Sequence, residues 1–244
     1  DGMQLEVRVG VGLANDLQGV TDILNDVDVH KNAASVLRHK AVSKVTKEER
    51  RLGKPETFKP MFGGQCGIKE QRAYYSWFRQ RYSDMYALQQ GWVREVLYTK
   101  QLITPWGMRF YWPDTRDDGG YITNTPSIFN YPIQSLATAE IAPIGTIYLW
   151  HLLRAANMKA RLFNTVHDNA LAEFPPEEAS QFRIFALFSY THLVYAYLKR
   201  VYWLVLPGLI LGAGISVSTH WGGPPIFEDE INVQNHGATW RKKS

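Results

Sequence analysis

Cysteine is nearly absent from this 244-residue chain: Cys66 stands alone. A single cysteine excludes an internal disulfide and a cysteine-based zinc site. With no signal-peptide pattern in the opening residues, it points to a reducing, cytoplasmic setting. Long apolar runs are missing too. The most apolar stretch, residues 182–217, is interrupted by Arg183, His192, Lys199, Arg200 and Pro207. No window there reaches the ~20 residues a bilayer needs, so a buried helix followed by a core strand is expected, and no membrane partner. Acidic residues are scarce where bases gather. Between His30 and Pro60, nine Lys and Arg face three Glu, a local surplus of +6 in a chain of net +4. Positive charge concentrated beside aromatic rings suits a polyanionic partner.

The length allows one large domain or two smaller ones. Residues 4–11 alternate polar and apolar side chains, which predicts a half-buried strand, and residues 13–37 read as an interrupted helix. Arg50, Lys54, Phe58 and Phe62 then fall four apart. That spacing lines one helix face with two cations followed by two rings. Pro55 and Pro60 each remove an N–H donor, so a kinked helix ended by Gly63-Gly64 is expected. Residues 68–97 read as amphipathic helix, 104–107 as a turn and 109–112 as a short strand. A loop with Asp117-Asp118-Gly119-Gly120 at its tip follows. Further helices are predicted over 133–157, bent near Pro143, and from Pro175 to about Trp203. A last strand is predicted over 212–219, with a loosely ordered tail from Gly222.

Thr165-Val-His-Asp-Asn169 sits between two apolar runs and predicts a tight β-hairpin turn. Taken alone it reads as a surface turn, since Asp and Asn are ordinary turn residues. The opening, Asp1-Gly-Met-Gln-Leu-Glu-Val-Arg8, is a second strand-like segment headed by a carboxylate. Two aspartates side by side at strand ends would resist ionising together unless cations lie between them. A two-metal phosphoryl-transfer site has that arrangement.

These segments together resemble the catalytic half of family-A DNA polymerases, closest to the phage-encoded members. Asp1-x-x-Gln4-x-Glu6-x-Arg8 is similar to the family's first palm motif, and Arg50-x-x-x-Lys54-x-x-x-Phe58-x-x-x-Phe62-Gly63 to its fingers-helix motif. Val166-His167-Asp168 resembles the second palm motif, and Asn130-x-x-x-Gln134 the segment laid along the primer-template. The motifs run in the family's order from the first residue to about Phe174. Thr219-His220-Trp221 resembles the end of the last palm strand more weakly.

The resemblance implies an α+β fold, a right-hand polymerase palm with an antiparallel sheet and inserted helical fingers. Its segments would be palm 1–29, fingers 30–125, palm 126–223 and a C-terminal tail 224–244. It implies template-directed DNA synthesis from dNTPs onto a primer 3′-hydroxyl. Asp1 and Asp168 would hold two Mg²⁺ ions with the Gly2 backbone. Arg50, Lys54, His30 and Gln4 would contact the triphosphate, Phe58 would stack on the nucleotide, and Phe62 would lie near the templating base. Glu6 would crowd the sugar 2′ position, and Asn130, Gln134 and His167 would meet primer-template DNA.

Two departures stand out. Asn169 occupies a position where many relatives have Glu, and Pro126 one where bacterial relatives have Arg. The motifs for thumb, exonuclease and the preceding palm strand are not in the chain. The chain is therefore expected to be part of a longer or split polymerase, with a second polypeptide supplying them, in the host cytoplasm if the chain is phage-encoded. A single-subunit RNA polymerase shares the palm chemistry, though Glu6 speaks against it. A non-catalytic DNA-binding fragment is the alternative from another class.

Overall fold

Side chains that satisfy exposed backbone N–H groups set where the helices start. The computed structural model describes residues 4–220 and 222–234. In chain order these form α1 (Leu5–Ala14), α2 (Leu17–Leu24), α3 (Val29–Arg38), α4 (Lys47–Met61), α5 (Lys69–Arg81) and α6 (Ser83–Thr99). Two hairpins follow, β1 (Gln101–Ile103) with β2 (Arg109–Tyr111), and β3 (Asp117–Asp118) with β4 (Tyr121–Ile122). Next comes α7 (Thr125–Gln134), which passes through a π-helical segment, Ser135–Ile141, into α8 (Ala142–Ala155). The hairpin β5 (Arg161–Val166) and β6 (Asn169–Glu173) precedes α9 (Ala179–Phe188), a second π segment, Ser189–Leu193, and α10 (Val194–Val201). The hairpin β7 (Ile210–Val217) and β8 (Phe227–Gln234) closes the described chain. All four sheets are two-stranded and antiparallel, so the architecture is α+β with small antiparallel sheets.

The chain divides into two compact units, Ala14–Ile133 and the described residues of Asp1–Leu13 with Gln134–Ser244. In the first, Asp16 caps α2 through Gly19 N–H at 2.8 Å and also accepts from the N–H groups of Asp84 and Met85 at the start of α6. Asp22 accepts two bonds from Arg81 and one from the buried Tyr82 hydroxyl, joining α2 to α5. Thr46 and Glu49 form a reciprocal capping box at α4. That helix continues through Pro55 and Pro60 and ends at Phe62, with Gly63 at φ 83°. An apolar cluster of Val93, Val96, Leu102, Trp112, Ile128 and Phe129 joins α6, β1 and α7.

In the second unit the β7–β8 hairpin packs on α9 and the second π segment. Tyr195 fastens it. Its hydroxyl lies 2.5 Å from Leu209 O and 2.9 Å from Val233 O, and accepts from Leu211 N–H at 2.7 Å. Arg8, buried on α1, donates to Ile210 O at 2.9 Å.

Several sequence expectations change here. Residues 5–14 form a helix, not a strand. Leu5, Val7, Arg8, Val9, Gly10, Val11 and Gly12 are all buried, so the helix has no polar face and its 3.6-residue period is invisible in the sequence. The described part of the tail after Gly222 is paired rather than loose: Phe227–Gln234 runs antiparallel to Ile210–Val217 over eight residue pairs, while residues 235–244 lie outside the described residues. Only Ile231 and Val233 turn inward, a short signal among charged residues. The helix expected from Ile133 begins at Thr125. The run Thr125–Ala155, 31 residues with mean hydropathy 1.2 over its most apolar window, is long and apolar enough to cross a bilayer by composition. Of that window 44% is buried inside the protein.

Candidate nucleotide and metal sites

Close packing of α3 on α4 builds the basic site in the Ala14–Ile133 unit. At Gly53 a Cβ would lie 2.9 Å from both Ala34 Cβ and His30 O, so only glycine permits this approach. Arg50, Lys54, Phe58 and Phe62 follow one another along α4. Phe58 and Phe62 stack at 5.8 Å with 8° between planes, and Lys54 Nζ lies 5.9 Å from the Phe58 ring centroid. Lys54 is exposed and the two rings are half-buried.

His30 is 3% exposed and lies in the seam between the two helices. Its Nδ1 is 3.1 Å from Thr57 Oγ1, and its ring meets Phe58 at 5.7 Å. Burial, then the Arg50 charge, lowers the imidazole to about 4; Asp28 opposes this and Lys54 adds to it. Arg50 is held by Asp28, Nε to Oδ2 at 2.5 Å. Burial raises the Asp28 carboxyl, but the Arg50 hydrogen bond, the Lys31 N–H and the Arg50 and His30 charges outweigh it, leaving its pKa below the usual value. Asp28 and Thr57 carry no role in the sequence motifs. The available signal for Asp28 was an acidic residue one position before a helix, the N-cap pattern.

The hairpin site lies in the other unit. His167 and Asp168 form the two-residue turn between Val166 and Asn169, with His167 exposed at φ 55°. Asp168 is half-buried on the wall of a cavity of about 280 Å³, shared with Thr138, Thr146, His167 and Tyr190. Tyr190 bonds Thr146 Oγ1 at 2.6 Å; burial raises its hydroxyl pKa, and the charge of Asp168 adds to this.

Asp168 makes no hydrogen bond or ion pair to any described residue, so its oxygens are free for a hard cation, which binds oxygen donors. Asp1 and Gly2 lie outside the described residues. Among the described residues no group of three His, Cys, Asp or Glu gathers to hold a metal. Gln4 stands at the start of α1 at φ 47°. Glu6 faces Gln134, Oε1 to Nε2 at 3.4 Å. Asn130 lies one turn before Gln134 on α7, and its buried Oδ1 has no hydrogen-bond partner among the described residues.

The family model for DNA polymerase family A matches residues 1–191. The chain belongs to DNA polymerase family A. Among relatives in the family, DNA polymerase I of Bacillus subtilis is 28% identical over 189 residues, covering 73% of this chain and 21% of that protein. DNA polymerase I of Pseudomonas aeruginosa is 26% identical over 185 residues, covering 71% and 20%. The chain thus spans about a fifth of the length of the curated relatives it matches. These relatives are bacterial, where the sequence reading placed the chain nearest the phage-encoded members. The solved POL domain of Pol1 from M. smegmatis, in complex with DNA primer-template and dNTP, superposes with a TM-score of 0.68 at 18% identity. It covers 95% of this chain and 38% of that one, a likeness of fold.

Proposed function

We propose that this chain is the palm-and-fingers part of a template-directed DNA polymerase that transfers dNTPs onto a primer 3′-hydroxyl. Family membership supports the reaction class. The observation that carries the site assignment is α4, where two cations and two stacked rings follow one another at four-residue spacing. In this reading Arg50 grips a phosphate through paired N–H donors while Lys54 acts as a point charge. Phe58 lies under the base, with Phe62 beside the templating position. His30, neutral in its seam, donates a hydrogen bond rather than a charge, and Gln4 contacts the triphosphate from the start of α1. Glu6, facing Gln134, excludes a 2′-hydroxyl by volume. Asn130 offers its open Oδ1 to the primer-template, with Gln134 and His167.

Asp168, unclaimed by any cation among the described residues, fits a Mg²⁺ ligand, with Asp1 and the Gly2 carbonyl as its partners. Two such ions, when bound, lower the pKa of the attacking hydroxyl and offset charge on the leaving pyrophosphate. The protein's own contribution is positioning and charge neutralisation.

The test is primer extension by the polymerase that contains this chain. Asp168→Ala should cut the rate by roughly a thousandfold or more while template binding changes less than about twofold. Extension at the wild-type rate would refute the metal assignment. Equal use of ribo- and deoxynucleotides would refute the role of Glu6.

A further inference from the structure

Both oxygens of Asp28 are in use, on different elements. Oδ1 accepts the N–H groups of His30 at 3.1 Å and Lys31 at 3.0 Å, fixing the carboxylate to the first turn of α3. Oδ2 accepts from Arg50 Nε at 2.5 Å, 22 residues along the chain. The side chains are 23% and 34% exposed, so the pair sits at the protein's edge rather than in its core. The close approach at Gly53 fixes α3 against α4, so the direction of this bond is set by helix packing and not by two free side chains.

A guanidinium carries five N–H donors in a rigid plane. Asp28 takes the one on Nε, and neither Nη group has a partner among the described residues. The two Nη groups form the edge that grips a phosphate in bidentate fashion. From this geometry we infer that Asp28 is a positioning residue for the triphosphate clamp: anchored on the α3 N-terminus, it holds Arg50 by Nε so that the Nη edge points outward, ready for phosphate. The inference rests on the nucleotide-site reading of Arg50 given above. It differs from simple competition, in which Asp28 would be a stand-in anion that phosphate must displace, because the anchored donor is not one that phosphate needs.

Asp28→Asn separates the two jobs, since Asn caps a helix about as well as Asp but lacks the charge that holds the guanidinium. The assay uses the full chain and sodium tripolyphosphate as probe, with ¹⁵N NMR following the Arg50 Nε–H signal and circular dichroism confirming the fold. Asp28→Asn should speed exchange of the Nε proton with water and weaken tripolyphosphate binding about fivefold to tenfold. Arg50→Ala should weaken it at least as much, and adding Asp28→Asn to Arg50→Ala should change nothing further. A purely structural cap would move neither the Nε signal nor the additivity. Equal or tighter binding by Asp28→Asn overturns the inference, as does a loss that persists unchanged in the Arg50→Ala background. Unchanged binding by Arg50→Ala alone instead refutes the nucleotide assignment of Arg50, and the inference falls with it.

Discussion

Replacing Tyr195 with Phe removes one oxygen atom from a place where three backbone groups converge. The Tyr195 side chain is almost fully buried, and its hydroxyl serves the carbonyls of Leu209 and Val233 and the N–H of Leu211. The phenylalanine ring fills the same space, so no cavity term arises. The cost is electrostatic. Leu211 N–H loses its acceptor, and two carbonyls lose the proton they share. An orphaned buried donor costs about 1–3 kcal/mol and a lost net hydrogen bond about 1 kcal/mol, giving roughly 3 kcal/mol. With a urea slope of about 2 kcal/mol/M, the unfolding midpoint of the β7–β8 unit should drop by about 1.5 M. Amide exchange at Leu211 should quicken about a hundredfold. Tyr202→Phe is the control, because the Tyr202 hydroxyl bonds the Glu140 carboxylate from a half-buried position and no backbone group, and should cost no more than about 1 kcal/mol. Equal losses in the two variants, or an unchanged Leu211 amide, would show that the hydroxyl does not hold the hairpin.

Two further perturbations bear on the α3–α4 site. His30 is buried neutral with its pKa lowered to about 4, against about 6.5 for an unfolded histidine. Between those values the unfolded chain binds the extra proton, so stability is fully present above about pH 6.5. It falls by up to about 1.4 kcal/mol per pH unit toward pH 4 and levels off below; an NMR midpoint near 6.5 for the ring would contradict this. Gly53→Ala gains about 1 kcal/mol of helix propensity but must push α3 off Ala34 and the His30 carbonyl, at roughly 1–3 kcal/mol. A net loss near 1 kcal/mol is expected by urea titration, and a stabilised variant would show that the helices can part freely.

The hairpin turn at His167-Asp168 and the α4 face were legible because each depends on local chemistry: two turn residues between apolar runs, and a four-residue spacing. The first helix was not. Leu5, Val7, Val9 and Val11 alternate as in a strand, and only burial on every side, with Gly12 against Leu209, lets them stand as a helix. β8 was hidden for a different reason. Its pairing with β7 is long-range, and Ile231 and Val233 alone mark its inner face. Asp28 was not singled out, because residues 13–37 read as one interrupted helix; its hold on Arg50 depends on how α3 and α4 pack, which spacing along the chain does not reveal.

The π segment at Ser189–Leu193 carries a consequence for how this region is compared with others. One additional residue in a helical turn advances everything downstream by about 100°. A helical wheel drawn straight from Ala179 to Val201 therefore puts Tyr195 on the side of the exposed Ile184 and Phe188, although Tyr195 is buried. Alignment with a relative lacking that residue must open a gap inside a helix, where gaps are ordinarily disfavoured. Deleting one residue there would swing the Tyr195 oxygen off the hairpin it fastens.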